Sequence, residues 1–167
     1  MFASSRNPAL VAALAALAVA FGAIAAAWII EAMGYIPCEL CLLGRKPYYI
    51  GIALAALTAV AAGRGQAGLA RAGLALSALT FVAGVGIAAY HSGVELKFWP
   101  GPAECAGAVT QNLPAKDFLE QLKRIKPVRC DEAALRIFGL SLAEWSVLIS
   151  LALGGVSAWG FRRSRTG

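Results

Sequence analysis

Four stretches of the chain run without a single charged side chain: residues 9–30, 48–62, 72–90 and 145–161. A bilayer's hydrocarbon core, about 30 Å thick, is crossed by roughly 20 helical residues. The first, third and fourth stretches meet that length or come close. The second reaches it as 41–62 if Arg45 and Lys46 lie at the interface with their long side chains extended to the headgroups. Pro47 then falls in the opening turns, where backbone donors lack helical partners in any case. The first stretch has Arg6 ahead of it and Ala25-Ala26-Ala27 near its end, as a cleaved leader would, but its 22 apolar residues exceed the usual run of about 7–15. The pattern predicts an all-α membrane protein with one membrane domain over 1–167. It is a four-helix bundle with spans near 9–30, 41–62, 72–90 and 145–161, both termini on one side, and loops 31–40 and 91–144 on the other, the long one joining helices 3 and 4.

Composition agrees. The chain is 59% hydrophobic and 14% charged, against roughly 25% charged in a soluble domain, which excludes both an ordinary soluble protein and a disordered one. A formal net charge of +6 would suggest an anionic partner, but its distribution says otherwise. The side with the termini carries Arg6, Arg64, Arg71, Arg162, Arg163 and Arg165 and no acid, whereas the loop side balances nine basic residues with nine acidic ones. Seven of those nine basic residues sit in the long loop, interleaved with acids. The raw count of basic residues favours the loop side, but several of those seven lie far from a helix end, where they weigh little. The termini are therefore expected in the cytoplasm, the whole excess charge belongs to that face, and no nucleic-acid partner is expected.

All four cysteines, Cys38, Cys41, Cys105 and Cys130, fall in or at the edge of the two loops on the opposite side. Cys38-Glu39-Leu40-Cys41 is a tight pair of the kind whose strained disulfide exchanges readily. Cys41 is expected at the amino end of helix 2, where free amide donors and the helix dipole favour a thiolate. Arg45 follows one turn later on the same face, able to lower that thiol's pKa further and to polarise a carbonyl compound beside it. Such a constellation suits electron transfer from sulfur to a small acceptor at the membrane surface. Two inert structural disulfides are the main alternative. A four-cysteine zinc site fits less well, because only one Cys-x-x-Cys is present.

The run Pro37-Cys38-Glu39-Leu40-Cys41-Leu42-Leu43-Gly44-Arg45, then Tyr90-His91-Ser92-Gly93-Val94-Glu95, Trp99-Pro100-Gly101-Pro102 before Cys105, and Cys130 ahead of Phe138-Gly139-Leu140-Ser141-Leu142-Ala143-Glu144-Trp145 closely resembles the disulfide bond formation protein B (DsbB) family. Gly44 departs from it, since the family commonly has glutamine there. The resemblance implies a protein-disulfide:quinone oxidoreductase of the bacterial inner membrane, with its redox loops in the periplasm. It implies that Cys105 and Cys130 form a disulfide that oxidises a periplasmic DsbA-type thiol oxidase, with Cys105 taking the mixed disulfide. Cys130 then attacks Cys38 of a Cys38/Cys41 disulfide, and Cys41 is released as the thiolate that reduces a bound quinone, ubiquinone or menaquinone, assisted by Arg45. DsbA-type proteins are the standard example of a strongly oxidising dithiol, with an established potential near −120 mV. A glutathione pool at about −180 to −210 mV cannot reoxidise them, so a stronger, lipid-dissolved acceptor is needed. His91, the chain's one histidine, is expected level with Cys41 and Arg45 and is the second candidate quinone contact. A vitamin K epoxide reductase-like enzyme also combines four helices, a Cys-x-x-Cys and a loop pair, but in the reverse order.

Two further signals read as structural. Gly63-Arg64-Gly65-Gln66-Ala67-Gly68 matches a dinucleotide-binding string, yet it joins two membrane helices and not a strand to a helix, and is expected to be a tight turn. Phe118, Leu119, Leu122 and Ile125 recur at helical spacing among charged residues, as in a segment lying on the membrane surface.

Overall fold

A computed structural model describes residues 7–102 and 130–164. Cys105 and the amphipathic segment 118–125 lie outside the described residues. Four long helices make up the fold: α1 (Pro8–Ala32), α2 (Glu39–Gly63), α3 (Ala67–Glu95) and α4 (Leu142–Arg163). Each is long and apolar enough to cross a membrane. α3 packs on α2 and α4, and α1 on the same two helices. A short antiparallel hairpin, β1 (Arg136–Ile137) and β2 (Leu140–Ser141), leads into α4.

The helices are apolar on every side, and size separates inside from outside. Ala9, Ala12, Ala13, Ala16 and Ala20 of α1 are buried, whereas Leu14, Val19, Phe21 and Trp28 of the same helix face outward. With lipid as apolar as leucine, helices gain most by close backbone approach through small residues, and they leave the large side chains to the acyl chains. Phe81, fully buried, fills the middle of the bundle against Ile24, Tyr48 and Leu153. Its ring end sits where Gly51 of α2 has no Cβ. Beside it the Tyr48 hydroxyl meets Ser150 Oγ at 3.0 Å and donates to the Ser146 carbonyl at 3.2 Å, a polar tie between α2 and α4 worth about 0.6 kcal/mol.

The turns are set by local chemistry. Gly34, at φ 96°, ends α1: its N–H donates to Glu31 O and that of Tyr35 to Ile30 O, the two bonds of a Schellman motif. Gly65, at φ 74°, ends α2 with the equivalent bonds to Ala62 and Ala61. The glycine string is therefore a three-residue connection, as its position between membrane helices predicts. Lys97 closes α3 in the same way at φ 63° without being glycine, and its ammonium group is tied to the Asp131 carboxylate and carbonyl. At the hairpin tip Phe138 and Gly139 both take positive φ, the pattern of a type I′ turn. Ser141 and Glu144 then form a capping box that starts α4.

Two expectations need correction. α3 continues through Glu95, so residues 91–95 are helix and not the start of the long loop, and His91 is buried within it. Pro47 lies at the ninth position of α2, past the opening turn, and is buried with its ring against the bare face of Gly84.

The glycines separate two effects. Gly51→Ala forces the enclosed Phe81 ring to shift and is expected to lower stability by about 1–3 kcal/mol. Gly44→Ala, with open space around its added carbon, is expected to raise it by about 0.5–1 kcal/mol. Thermal unfolding of the detergent-solubilised protein reads both, and a Gly51→Ala protein melting at the parental temperature would show that Phe81 is not held there.

Candidate redox site

The site is assembled where α1 ends, α2 begins and α3 runs past both. α2 starts at Glu39, which puts Cys38 at the N-cap in an extended conformation, a position usually held by serine or asparagine. Its sulfur does the capping, accepting the Cys41 N–H at 3.3 Å. One turn in, Cys41 brings its own sulfur to 2.9 Å from that of Cys38, and the two are free thiols. From α3, His91 Nε2 stands 3.7 Å from Cys38 Sγ and 3.6 Å from Glu95 Oε1.

Charge on this pair is steered to Cys38. Its thiol is held well below the usual thiol range, chiefly by the hydrogen bond with the Cys41 thiol, and further by the His91 ring and the Cys41 backbone N–H. Together these outweigh burial, which opposes ionisation. The sequence places the helix-end stabilisation on Cys41; the structure places the cap, and with it the favoured anion of the reduced pair, three residues earlier.

Arg45 also has a partner that the sequence does not reveal. Its Nη1 donates to Glu31 Oε1 at 2.7 Å, joining α2 to the last turn of α1. A guanidinium carries five donors, so this bond leaves others free. Cys38, Cys41, Arg45 and His91 all border one cavity of about 350 Å³ between the helices, as do Glu31 and Glu95. That volume falls in the usual range for small-ligand sites. Gly44 borders it too, with nothing within 4 Å of where its Cβ would be, so the glycine leaves room that a glutamine would occupy. Sequence reasoning missed Glu31 and Glu95. The spacing of His91 and Glu95, four residues apart on one helix, is a signal that finds the second; the first meets Arg45 only through packing.

Cys130 is fully buried and disulfide-bonded. It packs in one cluster with Cys38, Leu40 and Val94, against which Cys41 also rests. The bond from Lys97 to Asp131 pins the chain immediately after it to the end of α3.

The family model for disulfide bond formation protein DsbB matches residues 8–160. No curated protein and no solved structure matches the chain.

The cap makes a prediction about pH. Because its pKa is lowered, Cys38 stays a thiolate as the pH falls through ~8.5, where an ordinary cysteine protonates, and loses its charge only in the acid range. Iodoacetamide labelling of the reduced protein, resolved by peptide mapping, is expected to remain fast at Cys38 down to mildly acidic pH. Removing the imidazole with His91→Ala is expected to move the profile upward. A Cys38 profile that falls away like that of an ordinary thiol would sink this assignment.

Proposed function

The chain belongs to the DsbB family, and on that premise we propose that this membrane oxidoreductase reoxidises a periplasmic DsbA-type dithiol protein and passes the electron pair to a membrane quinone, ubiquinone or menaquinone. The observation that carries the reading is the burial of Cys130 in one cluster with Cys38. Thiol–disulfide exchange needs the two sulfurs to meet, and the packing of Cys130 in the same cluster as Cys38 supports that step.

Each exchange breaks one disulfide and forms another. The reduced partner's thiolate attacks Cys105, displacing Cys130 as a thiolate, and the partner's second thiol then closes the partner's disulfide and frees Cys105. Cys130 attacks Cys38 Sγ of the Cys38–Cys41 disulfide and releases Cys41 as the thiolate. Cys105 recloses on Cys130 and frees Cys38. The result is an oxidised partner, a restored loop disulfide and a reduced Cys38/Cys41 pair holding the two electrons. While Cys38 is bonded to Cys130, Cys41 is the sulfur of its pair that bears charge. Once Cys38 is released, the cap and His91 draw the charge to it.

A quinone supplies the final chemistry by taking two electrons and two protons from the pair, which becomes a disulfide again. The cavity fits such a planar ring: its walls are largely apolar, from side chains such as Ile30 and Ile149, while Cys41 and Arg45 border the same space. The donors that Glu31 leaves free on Arg45 can orient and polarise a carbonyl oxygen. The six basic residues on the side of the termini support an inner-membrane orientation with the termini cytoplasmic and the redox loops periplasmic.

The purified protein, mixed with a reduced DsbA-type partner and quinone, tests the reading through the loss of quinone absorbance. Cys41→Ser is expected to abolish quinone reduction. Arg45→Met removes a charged hydrogen bond worth about 1.5–3 kcal/mol and is expected to raise the quinone KM at least about ten-fold while leaving disulfide exchange with the partner intact. Normal quinone reduction by Cys41→Ser would refute the scheme.

A further inference from the structure

We propose that the reduced site is also a metal-binding site, in which Cys38, Cys41 and His91 capture one thiophilic d-block cation such as Zn²⁺. The sulfurs of Cys38 and Cys41 and a ring nitrogen of His91 all lie within 4.8 Å of one another. Tetrahedral zinc, with Zn–S about 2.3 Å and Zn–N about 2.0–2.1 Å, spaces its ligands roughly 3.5–3.8 Å apart. The distance from Cys38 Sγ to His91 Nε2, 3.7 Å, already has that value. The two sulfurs, at 2.9 Å, have to open by about 0.9 Å to reach it, which a small rotation of the Cys41 side chain into the cavity provides. Two thiolates and an imidazole are a recognised zinc set that leaves the fourth position for water or another ligand.

The surroundings suit a cation as well. The Glu95 side chain is only 7% exposed, and its Oε1 lies 3.6 Å from His91 Nε2, close enough to become the fourth ligand or to balance the ion's charge. The cavity bordered by all of these residues gives an ion a way in. Binding replaces the two thiol protons with one divalent cation and changes no oxidation state. A disulfide has no thiolate to offer, so only the reduced protein is a ligand. If the function proposed above holds, a bound ion blocks reclosure of the first pair and holds the enzyme reduced; the metal site itself stands on the cluster and not on that reading.

Cobalt(II) alone, added to the full-length protein in detergent, tests the site without partner or quinone. A Cys105→Ser/Cys130→Ser background leaves Cys38 and Cys41 as the available thiols. The reduced protein is expected to bind one Co²⁺ with a sulfur-to-cobalt charge-transfer band and the visible bands of tetrahedral coordination, all displaced by Zn²⁺. The oxidised protein is expected to show none. His91→Ala is expected to weaken binding at least about ten-fold and Glu95→Gln by a similar factor. In the natural sequence, Zn²⁺ is expected to protect Cys38 and Cys41 of the reduced protein from alkylation, which keeps the test independent of how the variants fold. Absence of protection, or bands of equal strength in the oxidised protein or with His91→Ala, overturns the proposal. Because quinone reduction enters none of these measurements, failure of the metal site and failure of the electron-transfer scheme are told apart.

Discussion

Cys38 closes the amino end of α2 with its own sulfur, and the rest of the site is spaced from that cap. A capping side chain must turn back toward the first free N–H groups of its helix. This holds the Cys38 sulfur over the first turn, where the Cys41 amide reaches it at 3.3 Å and the Cys41 thiol at 2.9 Å. Serine at this position would cap equally well but could not exchange disulfides. The same geometry that completes the helix therefore presents a sulfur, partly charged and close to its pair, at the point where α3 brings His91 alongside. One atom thus serves as the cap and, under the proposed scheme, as the sulfur that is attacked.

The membrane explains why so much else is simple. With lipid outside, the bundle has little to gain by hiding its large apolar side chains, so much of its described interior is alanine, glycine and serine, with Phe81 and Tyr48 as large aromatic side chains packed edge to face in the middle. Two ion pairs tie charged groups down near the site: Arg45 with Glu31 between helices, and Lys97 with Asp131 at the loop. An arginine a turn and a half into a membrane helix would be costly alone. Given a carboxylate from the neighbouring helix, it becomes a fixed donor on the wall of a cavity.

What the sequence discloses and what it hides follow from the range of each interaction. The four spans show as apolar runs, and the turn at Gly63–Gly65 shows because positive φ and tight reversal favour glycine. The hairpin turn at Phe138–Gly139 does not, because its first residue is a bulky one that rarely takes positive φ. The two cysteine pairs show because no cysteine falls in an uncharged span. The end of α3 does not show: the apolar run stops at Tyr90, but the helix carries His91 and Glu95 one turn further, since buried polar residues extend a helix as readily as apolar ones when neighbours face them. The pairing of Arg45 with Glu31 is invisible for a different reason. The residues are 14 apart, on separate helices, and no periodicity within either helix announces a contact made by packing. The displacement of the favoured anion from Cys41 to Cys38 rests on a helix start two residues earlier than the apolar run alone suggests.

These pairings bear on how two electrons can cross the site. Inside a low-dielectric cavity an isolated charge is expensive, and a charge that gains an opposite partner is much less so. Glu31 offsets Arg45 at 2.7 Å, and the Glu95 carboxylate stands 3.6 Å from the His91 ring, so the cation on the cavity wall has a close opposite partner. A thiolate formed at Cys38 adds one negative charge to this arrangement and meets its compensation in donors already present, the Cys41 amide and the His91 ring. Passing on an electron pair without protons would leave a second uncompensated charge in the same space. Under the proposed scheme this cost favours transfer in which protons accompany the electrons, and His91, 3.7 Å from Cys38 Sγ with the Glu95 carboxylate 3.6 Å beyond it, is the titratable group that lies nearest that sulfur among the described residues, apart from Cys41.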